Sequence, residues 1–166
     1  MNKVPMINYI KVLLLFIVTI VFVVVLANIY TKRNNYNREN SDVMNFLSVV
    51  KYDDLENYLV ENQNVFIYMA PSNNSNLDDF ESSLKDYILS EELEKDFVYL
   101  DSSNFKFENY ELLKQNYFSK SLLDNKVQID SRSAILVVNN EEIVEVLNEN
   151  LTIESVKTLI NTYGEL

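Results

Sequence analysis

Two serines three residues apart, Ser72 and Ser75, stand where an apolar run ends and a helical pattern begins, in the stretch Ala70-Pro71-Ser72-Asn73-Asn74-Ser75. A hydroxyl at such a junction has two uses. It accepts a hydrogen bond from an unpaired N–H at the start of the helix, or, activated by a base, it attacks a substrate. The choice of base is narrow, because the 166-residue chain has no Cys, no His and no Trp, and carries one Gly and two Pro. Without His there is no Ser-His-Asp triad and no imidazole ligand. Without Cys there is no disulfide, thiol redox centre or thiolate metal site. The single glycine, Gly164, excludes phosphate-cradling and EF-hand loops, which need Gly where the backbone turns tightly. Carboxylate, Lys, Ser/Thr and Tyr chemistry is left.

The carboxylates are numerous, and the pairs Asp53/Asp54, Asp78/Asp79 and Glu141/Glu142 invite an acid–base or cation-binding reading. Adjacent acids on a strand point to opposite faces, however, and at helix starts the dipole accounts for them. No metal site and no cofactor is expected. The stretch Met69-Ala70-Pro71-Ser72 resembles the M-x-P-[ST] segment of bacterial signal peptidases. Those enzymes place the nucleophilic serine just before the Met, where this chain has Tyr68, so the resemblance transfers no catalytic residue. A non-enzyme is expected, with a Ser-based hydrolase using a Lys base kept as an alternative.

Charge divides the chain. Residues 1–35 carry Lys3, Lys11, Lys32 and Arg33 and no acid, so of the formal net charge of −11 the remainder holds −15. Such a domain repels nucleic acid, and none is expected as a partner. In the basic part, residues 12–27 read VLLLFIVTIVFVVVLA, with Thr19 the one polar residue. With its flanks this run extends over 9–30, about 20 residues and enough to cross a bilayer core as a helix. Tyr9 and Tyr30 fall at interfacial positions, and Lys11, Lys32 and Arg33 at the ends. The sequence predicts a short tail (1–8), a transmembrane helix (9–30), a polar tether (31–44) and a folded domain (45–166). A short tail ahead of a long domain fits an uncleaved signal anchor with the domain on the extracytoplasmic side. Cleavage near Ala27, giving a secreted protein, is the alternative.

Within the domain two periods alternate. NFLSVVK (45–51), VFIYM (65–69), FVYL (97–100), AILVV (134–138) and EIVEVL (142–147) read as strands, with Asn139-Asn140 as a hairpin turn. Helices are predicted after Asp53-Asp54 with an acidic capping box, over about 74–92, around Tyr110–Tyr117, and from a Thr152 cap onward. A short helix and an extended VQI fill 119–130. Crossover helices imply parallel strands, with the hairpin adding an antiparallel edge: an α/β fold with a mixed central sheet and helices on both faces.

This order and spacing over residues 45–166 resembles the thioredoxin fold. At Val65–Ser75 a thioredoxin has an apolar strand, a loop and Cys-x-x-Cys opening the long helix, and this chain has Ser72-x-x-Ser75. At Arg132-Ser133-Ala134 a thioredoxin has a cis-Pro before an apolar strand, and Ser133 holds that place. Where a thioredoxin carries a buried Asp as proton acceptor, this chain has Phe66. The resemblance therefore implies a thioredoxin-like domain that is redox-inactive, since exchange needs a thiolate and a resolving thiol. If the substrate groove survives, Ala70, Pro71, Ser72, Asn73, Asn74 and Ser75 lie beside Arg132, Ser133 and Ala134 and hold an extended peptide by backbone bonds. The expected function is a membrane-held binding or scaffolding module for a protein or peptide. The alternative from another class is an accessory subunit of a membrane complex.

Overall fold

A strand buried on both faces has no room for polar residues, and VFIYMA meets that demand. All six residues of β2 (Val65–Ala70) are buried, as expected for a strand covered by helices above and below. The computed structural model describes residues 14–28, 41–130 and 133–164. They divide between two units, 1–37 and 38–166.

The first unit contains helix α1, residues 14–28. Its large apolar side chains, Leu14 to Leu26, are each 47% to 68% exposed, on every side of the helix. Among the described residues no helix is long and apolar enough to cross a membrane. The tail 1–8, both ends of the predicted 9–30 span and most of the tether lie outside the described residues.

The second unit is built around a five-stranded sheet of order β1-β3-β2-β4-β5, where β1 is Ser48–Val50, β3 Phe97–Asp101, β4 Ala134–Asn139 and β5 Glu142–Leu147. Strands β1, β3 and β2 run parallel, and β4 and β5 run antiparallel to their neighbours. Alternation along β2 divides the core into two layers. Val65, Ile67 and Met69 pack with Leu55 and Leu59 of α2 (Leu55–Glu61), Leu113 of α4 (Phe107–Tyr117) and Leu122 of α5 (Lys120–Asp124). Phe66, Tyr68 and Ala70 pack with Leu84 and Ile88 of α3 (Asp78–Ser90) and Val156 and Leu159 of α6 (Ile153–Tyr163). The sheet is mixed, with helices on both faces.

Several expectations are corrected in detail. The antiparallel part is more than an added edge. After β3 the chain runs through α4 to Phe118, which lies beside Ile143 near the start of β5, and residues 119–133 lead back, so β4 enters beside the end of β2, pairing Met69 with Ala134 and Val65 with Val138. The hairpin turn lies one residue later than Asn139-Asn140. Its two central residues are Asn140 and Glu141, at φ 51° and 70°, the pair of positive angles that a right-twisted two-residue turn requires. The acidic capping box before α2 does not form. Asp54 is the N-cap and makes no side-chain cap bond, because a 3-10 turn over Tyr52–Asp54 leads into the helix. Helix α3 starts at Asp78 rather than near 74, after a 3-10 turn over Ser75–Leu77. Val127–Ile129 joins no strand, and Ile129 is buried. The packed domain also reaches back beyond residue 45, for Ser41 and Val43 are 1% and 0% exposed.

With one glycine in the chain, other residues take left-handed angles. Glu92 follows α3 at φ 58° and Lys126 follows α5 at φ 55°. Each closes a helix: Leu93 N–H donates to the Ile88 carbonyl at 2.9 Å and Val127 N–H to the Leu122 carbonyl at 3.1 Å. This is the Schellman pattern, in which the left-handed position favours Gly. Glu92→Gly is therefore expected to stabilise the domain by about 0.5–1 kcal/mol. The check is a higher urea midpoint at unchanged m-value.

Candidate functional site

The register of β2 against β4 decides which candidate residues meet. Met69 pairs with Ala134, so residues 70–72 leave the sheet where 133–134 enter it. Ala70 and Ala134 are buried in their strands, Pro71 and Asn74 are half-buried, and Asn73 is exposed. Ser75 opens the 3-10 turn. Arg132 lies outside the described residues. Ser133 is 7% exposed and its Oγ has no hydrogen-bond partner.

Ser72 is fully buried, and its hydroxyl does not cap the following helix as the sequence suggested. Its Oγ donates to Asp101 Oδ2 at 3.3 Å and shares a 2.9 Å hydrogen bond with Ser103 Oγ. Its N–H donates to Asp101 Oδ1 at 3.2 Å and to Ser103 Oγ at 2.9 Å. Ser103 closes the network, with N–H and Oγ donating to Asp101 Oδ1 at 3.0 and 2.5 Å. The carbonyl of Ala70 accepts Ser102 N–H at 3.0 Å and Tyr99 Oη at 2.9 Å. The loop after β2 is thus cross-braced to the loop after β3. The hydroxyl presents no free face to a substrate, and its partners here are a carboxylate and a second hydroxyl rather than an amine base. The start of α3 is left with Leu77 as N-cap, which has no side-chain cap bond.

Asp101, Ser102 and Ser103 were not singled out from the sequence, although Asp101 directly ends the apolar FVYL run. A second polar cluster was also missed. Glu81 of α3 is 2% exposed, and Tyr68 Oη of β2 donates to its Oε1 at 3.0 Å. Tyr99 of β3 meets Tyr68 edge-on, with ring centroids 5.6 Å apart. Burial raises the Glu81 carboxyl above its usual range, and the charge of Asp78 adds to this. Hydrogen bonding from Ser41, Tyr68 and the Val43 N–H pulls the other way. Burial likewise pushes the Tyr68 and Tyr99 phenols far above their usual range, with the Glu81 carboxylate adding to both. The sequence signal was present: Glu81 sits four residues after Leu77 and three before Leu84, within the apolar stripe of the helix.

No family model matches the chain, and no curated protein matches it. Among solved structures, the crystal structure of Chlamydomonas reinhardtii thioredoxin f2 is similar at 15% sequence identity and a TM-score of 0.48, over 70% of this chain and 94% of that one.

The brace makes a measurable claim. Asp101→Ala removes the acceptor of four hydrogen bonds. It is expected to destabilise the domain by about 1–3 kcal/mol, the range for leaving buried hydrogen-bonding groups without partners. Amides of 70–74 should lose more hydrogen-exchange protection than those of β5. Equal loss in both would show that Asp101 supports the whole sheet rather than this loop.

Proposed function

We propose that the protein is a membrane-anchored, redox-inactive thioredoxin-like module that binds a protein or peptide at the loop end of its sheet. One observation carries the reading. The junction where thiol chemistry belongs in this type of fold is occupied by a fully buried serine fixed by Asp101 and Ser103. A chain with no Cys has no sulfur nucleophile there, and the braced loop is a rigid surface instead. Pro71, Asn73 and Asn74 are its accessible side chains, and rigid loops recognise an extended peptide without the entropy of ordering themselves.

Support for the anchor comes from α1. An apolar helix exposed on all sides is unfavourable in water, where each large side chain left unburied forgoes about 1.5–3 kcal/mol. The described turns span about 22 Å at 1.5 Å per residue, against about 30 Å of hydrocarbon. Residues 9–13 and 29–30 supply the remainder of the proposed span. We place the domain on the extracytoplasmic side, with residues 31–40 as tether.

Two experiments test this reading. The full-length protein is expected to stay with membranes after carbonate washing, and release of the intact chain would remove the anchor. A photo-crosslinking amino acid at Asn73 should capture a discrete protein or peptide in membranes, whereas one at Lys95, an exposed position after α3, should not. Equal labelling at both positions would reject the loop as the binding surface. Capture that depends on α1 and not on residue 73 would favour an accessory subunit instead.

A further inference from the structure

The exits of the three parallel strands lie side by side. Val50 pairs with Leu100, and Leu100 with Met69, so the chain leaves β1, β3 and β2 at one end of the sheet. The bond between Ser72 and Ser103 ties the last two exits together. The Tyr52 and Phe105 rings, edge-on with centroids 5.5 Å apart, tie the first two. Phe105 meets Tyr110 of α4 in the same way at 5.3 Å. Tyr52 and Phe105 are each half-buried, so part of this aromatic row faces the solvent beside the loops. The other flank of 70–72 offers less to a visitor, since Ser133 and Ala134 are 7% and 1% exposed.

Phe107 follows Ser103 by four residues, which keeps it within about 14 Å of the brace by the reach of the chain. At 77% exposed it is the most exposed large apolar side chain among the described residues, above every one of α1. The packing of α4 does not use it. The helix start is closed by Asn109 Oδ1, which accepts the Lys106 N–H at 2.9 Å, and the core contacts of α4 are made by Tyr110 and Leu113. A bare aromatic ring beside braced loops is the kind of side chain that dominates binding once a partner covers it. The charge around it has one prevailing sign. Asp53 and Asp54 follow Tyr52, Glu108 follows Phe107, and Asp78 and Asp79 open α3, all of them exposed, against exposed Lys51 and Lys106.

We propose that the segment bound at the loop end is a cationic peptide with an apolar side chain that seats on Phe107, and that it runs from Pro71 across the β3 exit toward Tyr52 rather than toward β4. The inference rests on the peptide-binding reading above and adds the partner's chemistry and direction. The apolar side chain covers a ring that water otherwise surrounds. Lys or Arg beside it meets the carboxylates of Asp53, Asp54 and Glu108, and the π faces of Tyr52 and Phe107. Pairs at the solvent-exposed rim set orientation and salt dependence, while the covered ring supplies the affinity. An acidic peptide meets repulsion at the same surface.

Amide chemical shifts of the full chain in zwitterionic detergent micelles test it, with three short synthetic peptides as probes: one with a central Phe between pairs of Lys, one with Ala for that Phe, and one with Glu for each Lys. The Lys–Phe peptide is expected to give saturable shifts at 52–54, 73–74 and 103–108 and none at Lys95, with binding that weakens as salt is raised. Loss of its Phe should weaken binding by about tenfold, and so should Phe107→Ala, which removes an exposed ring and leaves the other shifts of the domain in place. The Glu peptide should give no saturable shift. No binding of the Lys–Phe peptide, equal binding of the Glu peptide, shifts confined to another surface, or unweakened binding to Phe107→Ala overturns the proposal. Crosslinking from Asn73 in membranes separates this from the reading it rests on. Capture that survives Phe107→Ala keeps the loop as a binding surface and overturns the role of Phe107, whereas no capture from Asn73 in the unaltered protein rejects the loop itself and with it the path from Pro71.

Discussion

The pairing of β2 with β4 is the constraint on which the rest depends. β2 is buried along its whole length and stands between β3, parallel, and β4, antiparallel. Every backbone donor and acceptor of a strand in that position must be met by its neighbours, because no water reaches it. A slip of one residue would exchange the two core layers, sending Tyr68 to the α2/α4 side and Ile67 to the α3/α6 side. The observed register also brings the exit of β2 next to the entry of β4. The candidate loops meet for that reason, and not through any affinity of their own.

Polar groups at that end of the sheet are then forced into company. Ser72 is buried by its place after β2, so its N–H and hydroxyl need acceptors, and Asp101 at the end of the neighbouring strand provides them. One carboxylate serves Ser72 and Ser103 together, which ties two loops with a single side chain. Glu81 is the contrasting case. It is carried into the core by the helical stripe, meets the Tyr68 phenol and no cation, and is better accommodated neutral than charged. Two acids within the same end of the fold thus have opposite environments, Asp101 among donors and Glu81 under an apolar cover.

The acidic balance of −11 imposes less than its size suggests. Most of the acids lie on exposed positions, where water screens their repulsion. Scarcity of glycine matters more locally. Glu92, Lys126, Asn140, Glu141 and Asn150 all take positive φ, so the chain closes two helices and a hairpin with residues that adopt these angles less readily than Gly.

Strand and helix identities were legible in the sequence because both core faces impose a period. VFIYM, FVYL and AILVV announce buried strands, and EIVEVL matches β5 from Glu142 to Leu147. Thr152 caps α6 as its position in the sequence implies, accepting from Ser155 N–H at 3.2 Å. Composition alone sets thiol and imidazole chemistry aside, because a chain without Cys or His has no atoms to perform it. Tertiary structure alone decided the direction of β4, because the connection between Tyr117 and Ala134, with the short α5 in it, carries no period that reveals where it leads. It likewise decided that Ser72 bonds across to Asp101 rather than along to its own helix. That partner is 29 residues away, and local spacing holds no information about contacts at that range. Glu81 shows the same limit from the other side: its position in the apolar stripe was readable, but its phenol partner Tyr68 comes from β2, and only the packed sheet sets the carboxyl beside it.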